Sequence, residues 1–294
     1  MPRRCGMSPG SMPQGATELV QEGIILPPTR LVREGKLDEE VLRVVLANVR
    51  TPEERRGDLR AQLAACGAGA NGWIALIERE GRKRIDTAVA AVLDYTERLA
   101  KARIARVGAL EGSATDYLEG DGVSDEDVRV SARVTLAGRK NERLRIDFSG
   151  SSPIVRGNVN CPASVTRAAA VFVLRTLLDA DVPTNDGIAR ALDLVIPGGS
   201  ALAARWSGAV AAGNVEMSQR ITDTIFAALA AAGVDVPAQG QGTMNNVTFG
   251  GSGWTFYETL GGGQGASSRG DGPMGRPSDG HARGREIGHL RRVP

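Results

Sequence analysis

The residues able to do chemistry in this chain gather in two Gly/Asn-rich runs. The first is Gly213-Asn214-Val215-Glu216-Met217-Ser218-Gln219-Arg220 and the second is Gln241-Gly242-Thr243-Met244-Asn245-Asn246-Val247-Thr248-Phe249-Gly250-Gly251. Glycine meets no steric bar at positive φ and Asn tolerates it, so such runs suit tight turns and close approach of backbone to a ligand. Asn214 and Glu216 flank the start of a helical pattern, where free backbone N–H groups could hold an anionic oxygen. The reading preferred from the sequence is that Asn214 caps that helix and Glu216 complements its dipole. Asn245 and Asn246 could hydrogen-bond an amide substrate or build a turn. Glu258 alternates with Tyr257 in the extended run that follows, as a substrate-side carboxylate or a solvated strand residue. The sequence places no second acid or base near it, so the catalytic residues stay unknown.

Other reactive side chains lack partners. Cys5, Cys66 and Cys161 are widely spaced, odd in number and without a CxxC pair, which reads as ordinary thiols in a reducing compartment. Ser8 and Ser11 have no nucleophile elbow and no His to activate them. His281 and His289 have Arg283 and Arg285 between them, an arrangement that repels a dication, so no metal site is expected. The glycine runs match neither a GxGxxG fingerprint nor a Walker loop, and ATP is not assigned to this chain.

The elements that must position these runs are of mixed type. Residues 1 to about 35 are rich in Pro, Gly and Ser. Asp38, Glu39 and Glu40 open a helix with Leu37, Val41, Val44 and Val45 as its apolar stripe. Thr51-Pro52-Glu53-Glu54 predicts a second helix, with Thr51 as cap, Glu54 returning a bond to it, and a stop at Gly67-Ala68-Gly69. A long helix follows with Ile85, Val89, Val92, Leu93, Leu99 and Ile104 at helical spacing, and Asp94–Arg98 and Glu97–Lys101 pairs on its wet side. From Val128 the period changes to two, which predicts a hairpin over 128–148 with one buried and one charged face. Val165–Leu178 reads as a buried helix, Ala191–Ile196 as a strand, and Ile221, Ile225, Leu229 and Ala232 as a helix stopped at Gly233. The class is α+β, helical in its N-terminal half, then mixed.

The chain has 294 residues, a net charge of +2 and only 4% aromatic residues. Near-neutrality implies no nucleic-acid or membrane partner. Without a signal peptide or a long apolar run, a soluble cytoplasmic protein is expected. Residues 264–294, with six Arg against three acids and almost no apolar residues, read as a disordered tail behind a domain at 1–263.

Five collinear stretches resemble the large subunit of the hydantoinase B/oxoprolinase family: Gly6–Pro13, Asn48–Gln62, Asp147–Pro153 and the two runs above. The resemblance implies ATP-dependent cleavage of a small cyclic amide, shared with a hydantoinase A-type, ATP-using partner subunit. In some relatives it implies carboxylation of a ketone instead, and a non-catalytic remnant is a third reading. It implies a divalent metal held by Asp and His, but in a family region that precedes Gly6. In this sequence Met1-Pro2-Arg3-Arg4-Cys5 directly precedes Gly6. The expectation is therefore a family fragment with no cofactor of its own, oligomeric and inert alone. The resemblance stops after Pro273, as a shift of reading frame would cause.

Overall fold

A computed structural model describes residues 13–49, 51–139, 142–251, 254–263, 265–266 and 270. Most of the Gly6–Pro13 stretch, Cys5, His281, His289 and nearly all of the expected tail lie outside the described residues.

Two short strands, β1 (Val32–Arg33) and β2 (Lys36–Leu37), precede helix α1 (Glu39–Ala47). The Asp38 carboxylate caps α1, accepting from the backbone N–H of Glu40 at 3.1 Å and Val41 at 3.2 Å. The buried face differs from the predicted stripe. It carries Leu42 and Leu46, while Val44 is exposed. Helix α2 (Pro52–Glu80) starts at the predicted cap, with Pro52 in its first turn, but Thr51 makes no side-chain cap bond and Glu54 pairs with Arg55 instead. Nor does it stop at Gly67-Ala68-Gly69. A helix stop of that kind needs a left-handed residue, and the first after Thr51 is Gly81, at φ 85°. Helix α3 (Arg82–Ala105) turns off there and buries Ile85, Thr96, Ala100 and Ile104. Val89 and Val92 stay exposed. Lys101 meets Glu97 at 2.6 Å as expected, but Asp94 pairs with Arg190 at 3.0 Å rather than with Arg98.

The central sheet has the order β3 (Leu110–Leu118), β4 (Val128–Leu136), β5 (Leu144–Asp147), β6 (Leu192–Val195), antiparallel except for the β5–β6 pair. The predicted hairpin is β4–β5, in register Val134 opposite Ile146. Val128, Val130, Ala132, Val134 and Leu136 all point into the core, as strict alternation demands. Helices α4 (Ala163–Thr176) and α5 (Ser218–Ala231) supply the other half of that core through Val173, Leu174, Ile221, Ile225 and Leu229. Strand β3 was not legible in advance. Between Leu110 and Leu118 its inner face is small and polar (Gly112, Ala114, Asp116) because α5 lies directly on it: a Cβ on Gly112 would collide with the Ala228 carbonyl and the Ala232 nitrogen. A final hairpin, β7 (Asn246–Gly251) and β8 (Trp254–Thr259), pairs Asn246 with Thr259. The α+β class holds, helical first and mixed after. Among the described residues, no helix is long and apolar enough to cross a membrane.

Buried polar groups fasten the irregular segments to this core. Asn160, fully buried, accepts from the Val155 N–H at 2.8 Å and faces the carbonyls of Val155, Gly157 and Ala209 at 2.9, 2.8 and 3.0 Å. Asn158 donates to the Pro13 carbonyl at 2.7 Å, and Glu22 accepts from the N–H groups of Val210 and Ala211, both at 2.7 Å. The Asp121 carboxylate takes N–H donors from Gly157, Val123 and Ser124. Burial pushes its pKa up, but those donors and Arg156 outweigh it, and the group sits below its ordinary value. Asp147–Pro153 is a structural corner: Ser152 Oγ accepts from Arg129 N–H and Ser151 Oγ from Ser131 N–H, so two serines extend the ladder of β4.

Candidate functional site

The first Gly/Asn run folds as a π-helical turn, Gly213–Met217, leading straight into α5. Such turns insert one extra residue per turn and recur at functional sites. Gly213 is required there, since a Cβ would collide with the Asn160 carbonyl and Cys161. Asn214 does not cap α5: its side chain is exposed, and its carbonyl accepts from Ser218 Oγ at 2.7 Å. The turn is held from below by the Asn158–Asn160 network and needs no side-chain cap.

The second run crosses over the first. Met244 N–H donates to the Val215 carbonyl at 3.1 Å, Thr243 Oγ1 donates to the Glu216 carboxylate, and Gln239 Nε2 donates to the Asp223 carbonyl at 3.1 Å. Gly242 lies flat against Arg220. It has φ 75°, and a Cβ there would stand 2.8 Å from Nη2 and 3.0 Å from Cζ, so only glycine fits on both counts. Asn245 is exposed and reaches Gln241 Oε1 at 3.1 Å; Asn246 donates to the Met244 carbonyl at 2.6 Å and accepts from Thr259 Oγ1 at 3.0 Å. Glu258 is exposed on β8 opposite Val247. Glu216 and the 241–246 segment thus come together, while Glu258 stays on the outer hairpin.

Arg220 is the hub that the sequence reading missed. Its Nη1 meets Asp116 of β3 at 2.6 Å, and it lies within Coulombic reach of Glu216 and Asp223. Its Nε is buried with no hydrogen-bond partner among the described residues. Burial raises the pKa of Glu216 against the lowering by Thr243 and Arg220. Burial likewise pushes Asp223 up to about 6, with Arg220 pulling down and Asp116 adding to the rise. One cation thus serves three acids, two of which hold protons more tightly than free carboxylates. Proton exchange and hydrogen bonding to a polar substrate edge are the chemistry such a cluster suits. Arg220 and Thr243 lay inside the two runs, and the i,i+3 spacing of Arg220 and Asp223 was a readable signal. Asp116 sits on an unread strand.

The Asp223 shift has a measurable sign. Its folded pKa lies above the unfolded 3.8, so its contribution to stability is full below that value and lost as pH rises through about 6. Asp223→Asn, which cannot ionise, is expected to gain stability relative to the native chain on going from pH about 4 to pH about 7, by on the order of 1 kcal/mol after solvent screening. Urea unfolding of both chains at the two pH values checks it, and parallel pH profiles would remove Asp223 from the account.

The cluster does not fit a divalent metal. Arg220 already occupies the position of positive charge among the three carboxylates. No group of three His, Cys, Asp or Glu able to hold an ion occurs among the described residues. Cys161 is fully buried, and burial pushes its thiol up to about 11, so it carries little thiolate.

Along its sequence the chain matches the family description Hydantoinase B/oxoprolinase over residues 5–282, so the match continues past Pro273, where the resemblance was expected to stop. It belongs to the hydantoinase B/oxoprolinase family. An uncharacterized protein of Methanocaldococcus jannaschii is 39% identical over 88% of this chain, and 5-oxoprolinase 1 of Arabidopsis thaliana is 32% identical over 92%. The ATP-dependent caprolactamase from Pseudomonas jessenii superposes with a TM-score of 0.80 at 25% identity over 92% of this chain. The chain spans 45% of the first of these proteins, 22% of the second and 48% of the caprolactamase chain. The π-helical turn, Arg220 and Gly242 all lie within the family match.

Proposed function

We propose that this chain is part of an ATP-dependent hydrolase that opens a small cyclic amide, working with a separate ATP-using subunit of the hydantoinase A type. The observation that carries this reading is the likeness, at a TM-score of 0.80, to an ATP-dependent caprolactamase. A relative named 5-oxoprolinase also points to a lactam. The chemistry is consistent, because an unactivated lactam is a poor electrophile and phosphorylation of its oxygen makes it attackable. In this reading the substrate edge of the chain is the crossing of the π-helical turn with the 241–246 segment. Asn214 and Asn245 present amides there, Arg220 anchors the crossing, and Glu216 and Asp223, whose pKa values burial raises, lie near it. Glu258 flanks the crossing on the hairpin.

The test is an ATP-dependent assay on 5-oxoproline, caprolactam and hydantoin, with this chain alone and with the ATP-using subunit co-expressed. The expected result is ring opening coupled to ADP release in the combination and none with the chain alone. Ring opening that needs no ATP, or a combination that carboxylates a ketone and leaves all three rings intact, would overturn the reading.

A further inference from the structure

Helix α2 has 29 residues and none of them is buried. Between Arg60 and Glu78 it carries no charged residue, and Ile74 is 52% exposed. A glycine-rich helix whose best-covered residues, such as Leu59, Leu63, Leu76 and Ile77, are only half-buried is marginal, because helices in proteins draw most of their stability from tertiary packing. Something must cover it.

The stripe left open has a pattern that selects the cover. Arg60 and Glu78 are separated by about five full turns, so they lie on one line along the helix. Ala64, Gly67, Asn71 and Ile74 fall between them along the same stripe, and all six residues are exposed. Arg55, Arg56, Arg79 and Arg84 each have an acidic partner, whereas Arg60 and Glu78 have none among the described residues. Read in reverse about Gly69, the stripe complements itself: Arg60 faces Glu78, Ala64 faces Ile74, and Gly67 faces Asn71. Each pairing joins opposite charges or sets a small residue against a larger one. A two-fold contact demands that reciprocity.

We propose that α2 is the docking surface for a second copy of this chain, in an antiparallel helix pair that crosses where Gly67 and Asn71 lie on the stripe, level with Gly69 on the far side, and is closed at both ends by Arg60–Glu78 ion pairs. The proposal rests on the helix alone and is independent of which ring the enzyme opens. A paired stretch of about 27 Å is at the small end of specific interfaces, so the dimer forms in a concentration-dependent equilibrium.

Sedimentation equilibrium of the full chain over a dilution series tests it, with circular dichroism confirming that each variant keeps its helix content. All the substituted residues are exposed, so the fold is retained. The native chain is expected to pass from monomer to dimer. Arg60→Glu sets like charges against each other at both ends and is expected to raise the dimer Kd at least about tenfold. The exchange R60E/E78R is expected to restore the native Kd, which a merely structural effect of either residue would not do. A chain monomeric at every concentration, a dimer indifferent to Arg60→Glu, or failure of the double exchange to rescue would each overturn the proposal. So would stoichiometric cover of α2 by a different polypeptide.

Discussion

Replacing Arg220 by methionine is expected to destabilise the chain by about 2–3 kcal/mol at neutral pH and to release the 239–245 segment. Removing one partner of a largely enclosed ion pair leaves the other charge uncompensated, which costs more than the pair itself contributes. The figure is held below the fully buried range because the Arg220 and Asp116 side chains keep 22% and 33% of their exposure. Methionine retains much of the stem's volume, so the loss reads charge rather than a cavity. Asp223 and Glu216 also lose the cation that lowers their pKa values. Their folded values rise further, and the variant's deficit must grow as pH rises through about 6, where Asp223 ionises. Urea unfolding at pH about 5 and pH about 7.5 measures the difference, and limited proteolysis within 239–245 reports the released strap. An equal deficit at both pH values would mean that Arg220 acts through packing alone. Under the proposed function, ring opening with the partner subunit should be lost as well.

Much of the core was legible because hydrophobic period and burial coincide there. The β4–β5 hairpin alternates strictly from Val128 to Phe148, and α5 carries Ile221, Ile225 and Leu229 at helical spacing. Strand β3 failed that test for a physical reason. Where α5 lies on it, the inward positions are Gly112, Ala114 and Asp116, which leave room for a helix backbone and a partly buried ion pair but make no apolar stripe. Helix α2 ran past its predicted stop because Gly67, Gly69 and Gly72 keep helical backbone angles, and a glycine ends a helix only when it turns left-handed, as Gly81 does. At the candidate site, the two runs singled out in the sequence do come together, with Glu216 accepting from Thr243 where they cross. The hub escaped notice because Arg220 and Asp116 meet across 104 residues of sequence, and a single long-range ion pair leaves no local pattern. The predicted Asn214 cap failed because support for the turn comes from below, through Asn160.

That support leads to the last expected result: Asn160→Ala should destabilise the chain by about 3–5 kcal/mol, a large share of a typical domain's margin. The amide is fully buried, its oxygen accepts from Val155 N–H, and its two hydrogens are shared among the carbonyls of Val155, Gly157 and Ala209. Truncation strands one donor and three acceptors where water cannot replace the lost partner, and leaves a small cavity besides. Asn160→Asp separates hydrogen bonding from shape. It has the same outline, but when ionised it faces three carbonyl oxygens with no hydrogen to offer. The aspartate variant should therefore approach the native chain at acidic pH, where it is protonated and can donate once, and fall away as pH rises. The effect should also reach the site, since the Asn160 backbone carbonyl packs against Gly213 where the π-helical turn begins. Hydrogen exchange of the amides from Val215 to Ser218 measures that transmission. Protection unchanged in Asn160→Ala, in a chain that has lost several kcal/mol, would show that the turn is held by α5 and the 241–246 crossing rather than by the asparagine beneath it.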